Sequence, residues 1–191
     1  MTARVYMIRH GAAASAWSQP GSAPDPGLDD LGRTQAESAC AELLGLADAP
    51  RLVVTSPLQR CRDTAAPFAK ALGVAPVVEP RVAEIPTPRD LAHEARGAWL
   101  RAAFGADWST IAGDADYVAW RDGVGAAVAA RPGAAIFSHF VAINAAVSAA
   151  TGDPRVLSFE PDNGSITVFE TDGARLRLVA RGRELKQTLV L

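Results

Sequence analysis

The sequence has few cysteines, no long apolar segment and almost no net charge. Its two cysteines, Cys40 and Cys61, lack CxxC spacing and indicate reduced structural thiols, which suit a cytoplasmic protein. No run approaches the roughly 20 apolar residues of a membrane-spanning helix. The first apolar run ends at Arg9, too early for a signal peptide. A net charge of −2 indicates neither nucleic acid nor membrane as a partner.

The residues that are present suit an ordinary globular domain. Hydrophobic residues make up 49% and charged residues 21% of the chain, which is typical of soluble proteins. With 191 residues the chain can bury a proper core, and no repeat or linker divides it. We therefore predict a single domain over 1–191, with a cap or insertion at about 80–115. In that segment Trp99, Phe104 and Trp108 lie among arginine, alanine and glycine, which favours short helices.

Strand-like and helix-like segments alternate along the chain. Apolar runs predict strands at 5–8, 51–55, 74–79 and 134–137, and helical spacing predicts helices at 31–46, 57–72, 117–130 and 141–150. The Pro, Gly, Ser and Asp content of residues 12–30 predicts a long loop. The alternating runs 166–170 and 175–179, on either side of Asp172-Gly173, predict a hairpin. Asp29 or Asp30 is expected to cap the first helix and Ser56 the second, with Pro57 at its first position. This alternation favours an α/β fold with a parallel sheet.

Histidines and arginines follow three of the predicted strands. Arg9-His10-Gly11 follows the first, His139 follows another, and Arg60 and Arg62 lie in the first turns of the helix after a third. Because the carboxyl ends of parallel strands meet at one edge, these side chains should converge on one crevice beside helix N-termini, which favour anions. Neither metal-ligand spacing nor a Gly-rich Walker loop accompanies them. We therefore expect an anion site without metal or cofactor.

The motifs and their order resemble the histidine phosphatase superfamily, also called phosphoglycerate mutase-like. The resemblance implies an α/β/α sandwich of three layers, with a mostly parallel sheet and helices on both faces. It also implies catalysis through a phosphohistidine intermediate. A weaker match is Asn163-Gly164-Ser165. The main matching segments are Arg9-His10-Gly11, Leu31-Gly32-Arg33-Thr34-Gln35-Ala36, Ser56-Pro57-Leu58-Gln59-Arg60-Cys61-Arg62-Asp63-Thr64-Ala65, Glu84 and Ser138-His139.

The resemblance also implies catalytic roles. His10 would be the nucleophile, attacking phosphorus through one ring nitrogen while the other donates to a backbone carbonyl. Glu84 would protonate the leaving oxygen and then activate water. Glu79 and Asp90 are the competing carboxylates for that role.

A further set of residues would bind the substrate's phosphate. Arg9, Arg60 and His139 would hold the equatorial oxygens and share in catalysis by neutralising charge in the transition state. Arg62 either reaches the phosphate or faces solvent, and the sequence leaves both open. The predicted substrate-binding residues are Arg9, Arg60, Arg62, His139 and Asn163.

The chain departs from the family pattern beside the nucleophile and the second histidine. Ala12, Ala13 and Ala14 follow Gly11 where many members carry acidic or hydroxyl side chains, and Phe140 follows His139 where glycine is usual. A phenylalanine there would narrow the pocket or change the backbone path. These departures leave open a phosphate-binding or regulatory protein with a degraded site.

The leading interpretation is a metal-independent phosphomonoesterase of the histidine acid phosphatase type, acting on a small phosphorylated metabolite. The first alternative is a phosphoglycerate mutase-type phosphoryl transferase, although such enzymes usually carry extra segments that close the pocket against water. The second alternative is the degraded binding protein. The substrate's identity and the oligomeric state, a dimer included, are left open by the sequence.

Overall fold

The computed structural model describes residues 2–14 and 25–185. Apolar runs form strands and segments of helical spacing form helices, so most predicted elements are confirmed. The strands are β1 (Ala3–Arg9), β2 (Leu52–Thr55), β3 (Val77–Val78), β4 (Ala134–Ser138), β5 (Ile166–Thr171) and β6 (Leu176–Ala180). The α-helices are α1 (Asp30–Leu44), α2 (Gln59–Leu72), α3 (Arg96–Phe104), α4 (Tyr117–Ala129) and α5 (Phe140–Thr151).

The strands form one sheet in the order β3-β2-β4-β1-β5-β6. The pairs β3–β2, β2–β4 and β4–β1 are parallel, whereas β5 runs antiparallel to both β1 and β6. The carboxyl ends of β1, β2 and β4 therefore lie at the same edge, where β5 begins. The mostly parallel sheet is confirmed, and this edge brings together residues that are far apart in the sequence.

Alternate residues of the strands face two separate cores. Tyr6 and Ile8 of β1 pack in the core that contains residues of α1 and α2. Val5 and Met7, one residue out of phase, pack in the core that contains residues of α4 and α5. Because successive side chains of a strand point to opposite faces, each inner strand is apolar on both sides. The three-layer α/β/α sandwich is thus confirmed.

Helix α2 begins at Gln59, so the expectation that Ser56 caps it and Pro57 starts it is wrong. The Oγ atom of Ser56 instead lies 2.7 Å from Nε2 of His139. The Asp25 carboxylate supplies an acceptor at the helix start, because its two oxygens accept from the Gln59 N–H at 3.0 and 2.9 Å. A residue outside the helix's own segment therefore satisfies this N-terminal N–H group.

The third strand is shorter than predicted. The segment 74–79 pairs with β2 only at Val77 and Val78. Pro76 and Pro80 flank this pair, and proline has no N–H to continue a strand ladder. The strand lies at an edge of the sheet, and both of its valines are exposed.

The segment 80–115 forms α3 and three 3₁₀ turns, in agreement with the predicted short helices. It is anchored at both ends: Ser138 Oγ donates to the Val82 carbonyl at 2.7 Å, and the centroid of the Trp108 ring lies 5.8 Å from that of Trp120.

That the whole chain forms one domain stays a prediction. Within 2–14 and 25–185, no helix combines the length and apolar character needed to cross a membrane.

The long loop predicted at 12–30 lies partly outside the described residues. On its described flanks, Ala13 and Leu28 form an antiparallel bridge. Asp29 is the N-cap of α1, accepting from the Gly32 N–H at 2.7 Å, which confirms the first of the two predicted caps. Both cysteines are free and buried, as expected of structural thiols.

Candidate active site

His10 follows β1 directly and is held in one tautomer by its own backbone. Its Nδ1 lies 2.8 Å from the Gly11 carbonyl oxygen, which can only accept, so Nδ1 carries the proton and Nε2 carries the lone pair. The His10 N–H donates to the Ser138 carbonyl at 3.0 Å, and Asn163 Nδ2 donates to the His10 carbonyl at 2.7 Å. The arrangement presents Nε2 as the nucleophilic nitrogen.

The turn after His10 is held by two of the sequence motifs. Thr64 Oγ1 accepts from the Gly11 N–H at 3.0 Å, and Gln35 Oε1 accepts from the Ala12 N–H at 2.8 Å. The backbones at Gly11 and Gly32 are in close contact. A Cβ on Gly11 would overlap the Gly32 carbonyl, and a Cβ on Gly32 would overlap the Ala12 carbonyl. The glycine and glutamine of the second motif thus position the nucleophile's turn.

His139 follows β4 and is fully buried beside His10, with the two ring centroids 5.3 Å apart. An Arg60 nitrogen lies 3.0 Å from its Nδ1. Because guanidinium can only donate, Nδ1 accepts, and the proton of the neutral ring lies on Nε2. Nε2 then donates to Ser56 Oγ at 2.7 Å. Ser56 therefore orients the second histidine.

Two of the predicted phosphate-binding arginines, Arg60 and Arg9, lie near the histidines. Arg60 is only 3% exposed, and its Nη1 lies 3.8 Å from Asp25 Oδ1. Arg9 donates to the Pro161 carbonyl at 2.8 Å, and its guanidinium carbon lies 5.0 Å from the centroid of the Phe140 ring. Stacking on an aromatic face and a backbone acceptor hold this cation in place.

Glu84 lies in the same site as the histidines. Its side chain is 12% exposed, Oε1 accepts from the Ile85 N–H at 3.0 Å, and Oε2 lies 4.0 Å from His139 Nδ1. The competing carboxylate of Glu79 is paired with Arg81 at 2.7 Å, and this guanidinium lowers the pKa of Glu79 to about 2. Asp90 is exposed. Of the three, Glu84 is the carboxylate that lines the cavity.

Two of the predicted substrate-binding residues lie differently from the others, and their contact with substrate stays a prediction. Arg62 is exposed and lies outside the cavity lining, because two residues after Arg60 on a helix is about 200° further round the axis. Asn163 donates to the backbone of His10 and is also absent from the lining. It positions the nucleophile's backbone. The structure brings the other five predicted residues together.

A cavity of about 310 Å³ lies over these groups. Its wall contains the polar side chains of Arg9, His10, Arg60 and Glu84. The rest of the described wall is apolar except for Glu160, and it consists of Leu100, Phe104, Phe140, Val141, Leu157 and Leu185. Among the residues the structure describes, no group of three or more His, Cys, Asp or Glu side chains is placed to hold a metal ion.

Burial keeps both histidines uncharged. Desolvation, together with the nearby charge of Arg60, lowers the pKa of His10 from 6.5 to about 3. Burial also lowers the pKa of His139 well below its ordinary value, and the neighbouring His10 and Arg60 add to this effect. A neutral imidazole at His10 keeps the lone pair that a nucleophile needs.

The same shifts predict a loss of stability in weak acid. A histidine with a lowered folded-state pKa leaves stability intact above the unfolded pKa near 6.5, and costs stability as the pH falls below it, because only the unfolded chain takes up the proton. We expect about 1.4 kcal/mol per buried histidine at pH 5.5, measured by urea unfolding against pH 7.5. His10→Gln should remove about half of this dependence. An unfolding free energy that does not change over this pH range in the wild type would contradict it.

Comparison with known proteins agrees with this geometry. The family model of the histidine phosphatase superfamily (branch 1) matches residues 5–183. A structure described as mycobacterial hydrolase 1 is 26% identical, with a TM-score of 0.72, covering 97% of this chain and 100% of that one. No curated protein matches the sequence.

Mycobacterial glucosyl-3-phosphoglycerate phosphatase is also similar, in complexes with two different anions. The VO3 complex is 28% identical, with a TM-score of 0.70, over 95% of this chain and 100% of that one. The complex with inorganic phosphate is 26% identical, with a TM-score of 0.69, over 95% and 98%. With its family model over nearly the whole chain, this protein belongs to the histidine phosphatase superfamily (branch 1) and is a phosphatase, as the sequence predicted.

Proposed function

We propose that this protein is a metal-independent phosphomonoesterase of the histidine acid phosphatase type, which hydrolyses a small phosphorylated metabolite through a phosphohistidine on His10. The observation that carries the proposal is the fixed tautomer of His10, whose lone pair lies on Nε2 in a cavity also lined by Arg9, Arg60 and Glu84. Solved complexes of a similar phosphatase with VO3 and inorganic phosphate support a phosphate-sized anion as the ligand.

In the first step the Nε2 lone pair attacks phosphorus and the bond to the leaving oxygen breaks. Arg9 and Arg60 neutralise charge on the equatorial oxygens, the part that a metal ion plays in other phosphoryl transfers. His139 holds its Nε2 proton on Ser56, so it donates to phosphate only after Nδ1 gains a proton. A bound phosphate dianion supplies the negative charge that favours this imidazolium.

Glu84 acts as the general acid for the leaving group and then as the general base for water. Its carboxyl gives a proton to the departing oxygen, which leaves as the alcohol, and the resulting carboxylate takes a proton from water in the second step. The hydroxide then attacks phosphorus, the bond to Nε2 breaks and inorganic phosphate leaves. His10 ends in its starting tautomer, since Nδ1–H stays on the Gly11 carbonyl throughout.

We place the protein in the cytoplasm, with a small phosphorylated substrate and without nucleic-acid or membrane partners. Two free, buried cysteines and a net charge of −2 support this placement.

Metal removal tests the proposal directly. We expect steady release of phosphate from 4-nitrophenyl phosphate at an unchanged rate in 5 mM EDTA, since the cations that neutralise the phosphate are arginines. Acid-labile, base-stable phosphate should be trapped on the protein by rapid denaturation during turnover. Inhibition by EDTA that added Mg²⁺ or Zn²⁺ reverses would overturn the metal-free mechanism. Isomerisation of phosphoglycerate that depends on a bisphosphoglycerate, with little hydrolysis, would replace the phosphatase by the mutase.

A further inference from the structure

The cavity is lined by two chemically different sets of residues. One set contains the groups assigned above to phosphate and proton transfer, whereas the other described lining residues are apolar except for Glu160. Leu100 and Phe104 come from α3, and Phe140 and Val141 from the first turn of α5. Leu157 adds to the same wall. These apolar side chains are the surface that the cavity offers to the part of the substrate that leaves as the alcohol.

The aromatic side chains of this wall pack against each other and against Arg9. The rings of Phe104 and Phe140 lie 5.3 Å apart, and Arg9 rests on the Phe140 ring. Leu100, Phe104 and Phe140 are only half-buried, so each keeps apolar surface that a ligand can cover. A preformed apolar wall with few polar groups gains affinity from apolar ligands by removing this surface from water.

The same wall is poorly suited to sugars and to substrates with a second negative charge. Among the described lining residues, Glu160 is the one polar side chain besides Arg9, His10, Arg60 and Glu84. The hydroxyl groups of a sugar would lose water there without enough acceptors and donors to replace it. A substrate carboxylate would meet the negative charge of Glu160.

We infer that the substrate is a phosphate monoester of an apolar alcohol, alkyl or aryl, that carries no second anionic group. This inference rests on the proposed phosphatase function and narrows its substrate class. It separates this protein from the phosphatase of glucosyl-3-phosphoglycerate, whose named substrate carries both a sugar and a carboxylate. Apolar contact, rather than hydrogen bonding, then selects the leaving group.

A homologous series of n-alkyl phosphates tests this inference with little change in chemical reactivity, because the alcohols from ethanol to hexanol are similarly acidic. We expect kcat/KM to rise about 3-fold to 4-fold per added methylene, or about 80-fold to 250-fold over the four methylenes between ethyl and hexyl phosphate. Glucose 6-phosphate, with the same number of carbon atoms as hexyl phosphate, should be at least about 10-fold poorer. The measurement is initial-rate phosphate release by the wild-type protein.

Variants then locate the effect in the wall. Phe104→Asn should reduce the rise in kcat/KM with alkyl chain length. Leu44→Asn, at a 46% exposed position on α1, should leave that rise unchanged. Adding a terminal carboxylate to hexyl phosphate should lower kcat/KM, and Glu160→Gln should recover part of that loss. The wild-type series decides the question even if a variant fails to fold.

The outcomes separate the two proposals. The apolar substrate class would be overturned if kcat/KM did not change along the alkyl series, or if it were equal for glucose 6-phosphate and hexyl phosphate. Steady hydrolysis of 4-nitrophenyl phosphate in the same experiment would leave the phosphatase function intact. Folded protein that releases no phosphate from any ester would overturn the phosphatase function itself, and the substrate class with it.

Discussion

Phosphate release from 4-nitrophenyl phosphate should fall by about 10⁴-fold or more when His10 is replaced by glutamine. The amide of glutamine can still donate a hydrogen bond, but it has no basic nitrogen to attack phosphorus. Arg9 and Arg60 remain in the variant, so inorganic phosphate should still bind as a competitive ligand. Loss of turnover with retained phosphate binding would identify a chemical defect.

The control for this variant is His93→Gln. His93 is exposed and is not among the described residues that line the cavity, so its replacement should leave the rate within about 2-fold of wild type. Unchanged melting temperatures would show that both variants fold. Persistence of a trapped phosphoprotein in His10→Gln would mean that another residue is the nucleophile, and the mechanism proposed above would be wrong.

Replacing Glu84 with glutamine should lower the rate by an amount that depends on the leaving group. For ethyl phosphate, whose alcohol leaves only with a proton, we expect a loss on the order of 10²–10⁴-fold. For 4-nitrophenyl phosphate, whose phenolate leaves without one, kcat/KM should be nearly unchanged. This ratio reports the steps up to release of the phenolate and not the later hydrolysis, in which Glu84 activates water. This contrast separates a proton donor from a residue that merely shapes the site, since a distorted site would slow both substrates alike.

Asp90→Asn is the matched control for Glu84→Gln. Asp90 was the neighbouring candidate in the sequence and is exposed in the structure, so its loss should change neither substrate's rate. Rates for a series of aryl phosphates, plotted against the acidity of the phenol, should be steeper for Glu84→Gln than for wild type. Equal slopes would exclude Glu84 as the general acid.

Much of this site could be predicted because its main residues lie at the ends of strands. A short apolar run predicts a strand, and parallel strands place their carboxyl ends at one edge of the sheet. Arg9 and His10 at the end of β1, and His139 after β4, could therefore be expected to meet. Arg62 illustrates the limit: its neighbour Arg60 turns inward on α2, and only the helix's rotation against the sheet decides which one does.

Sequence motifs alone could not predict the contacts between segments that are distant in the chain. Gln35 and Gly32 matched a family pattern, yet their task, holding the turn after His10, depends on α1 passing within contact distance of that turn. Asp25 at the start of α2 has no sequence signal as a cap, because a carboxylate in a loop can face any direction. Ser56 looked like a helix cap and instead orients His139.

The order of apolar runs and charged strand ends in the chain was enough to predict an α/β fold with a parallel sheet and an anion site at one edge of it, because these follow from local periodicity and from the geometry of parallel sheets. The three layers and the nucleophile were added by the resemblance to the histidine phosphatase superfamily. The tautomers of both histidines, the inward-facing arginine and the apolar part of the cavity lining depended on tertiary structure. They are set by hydrogen bonds and packing between segments brought together only when the sheet and its two helical layers are assembled, and short-range pattern does not record those distances.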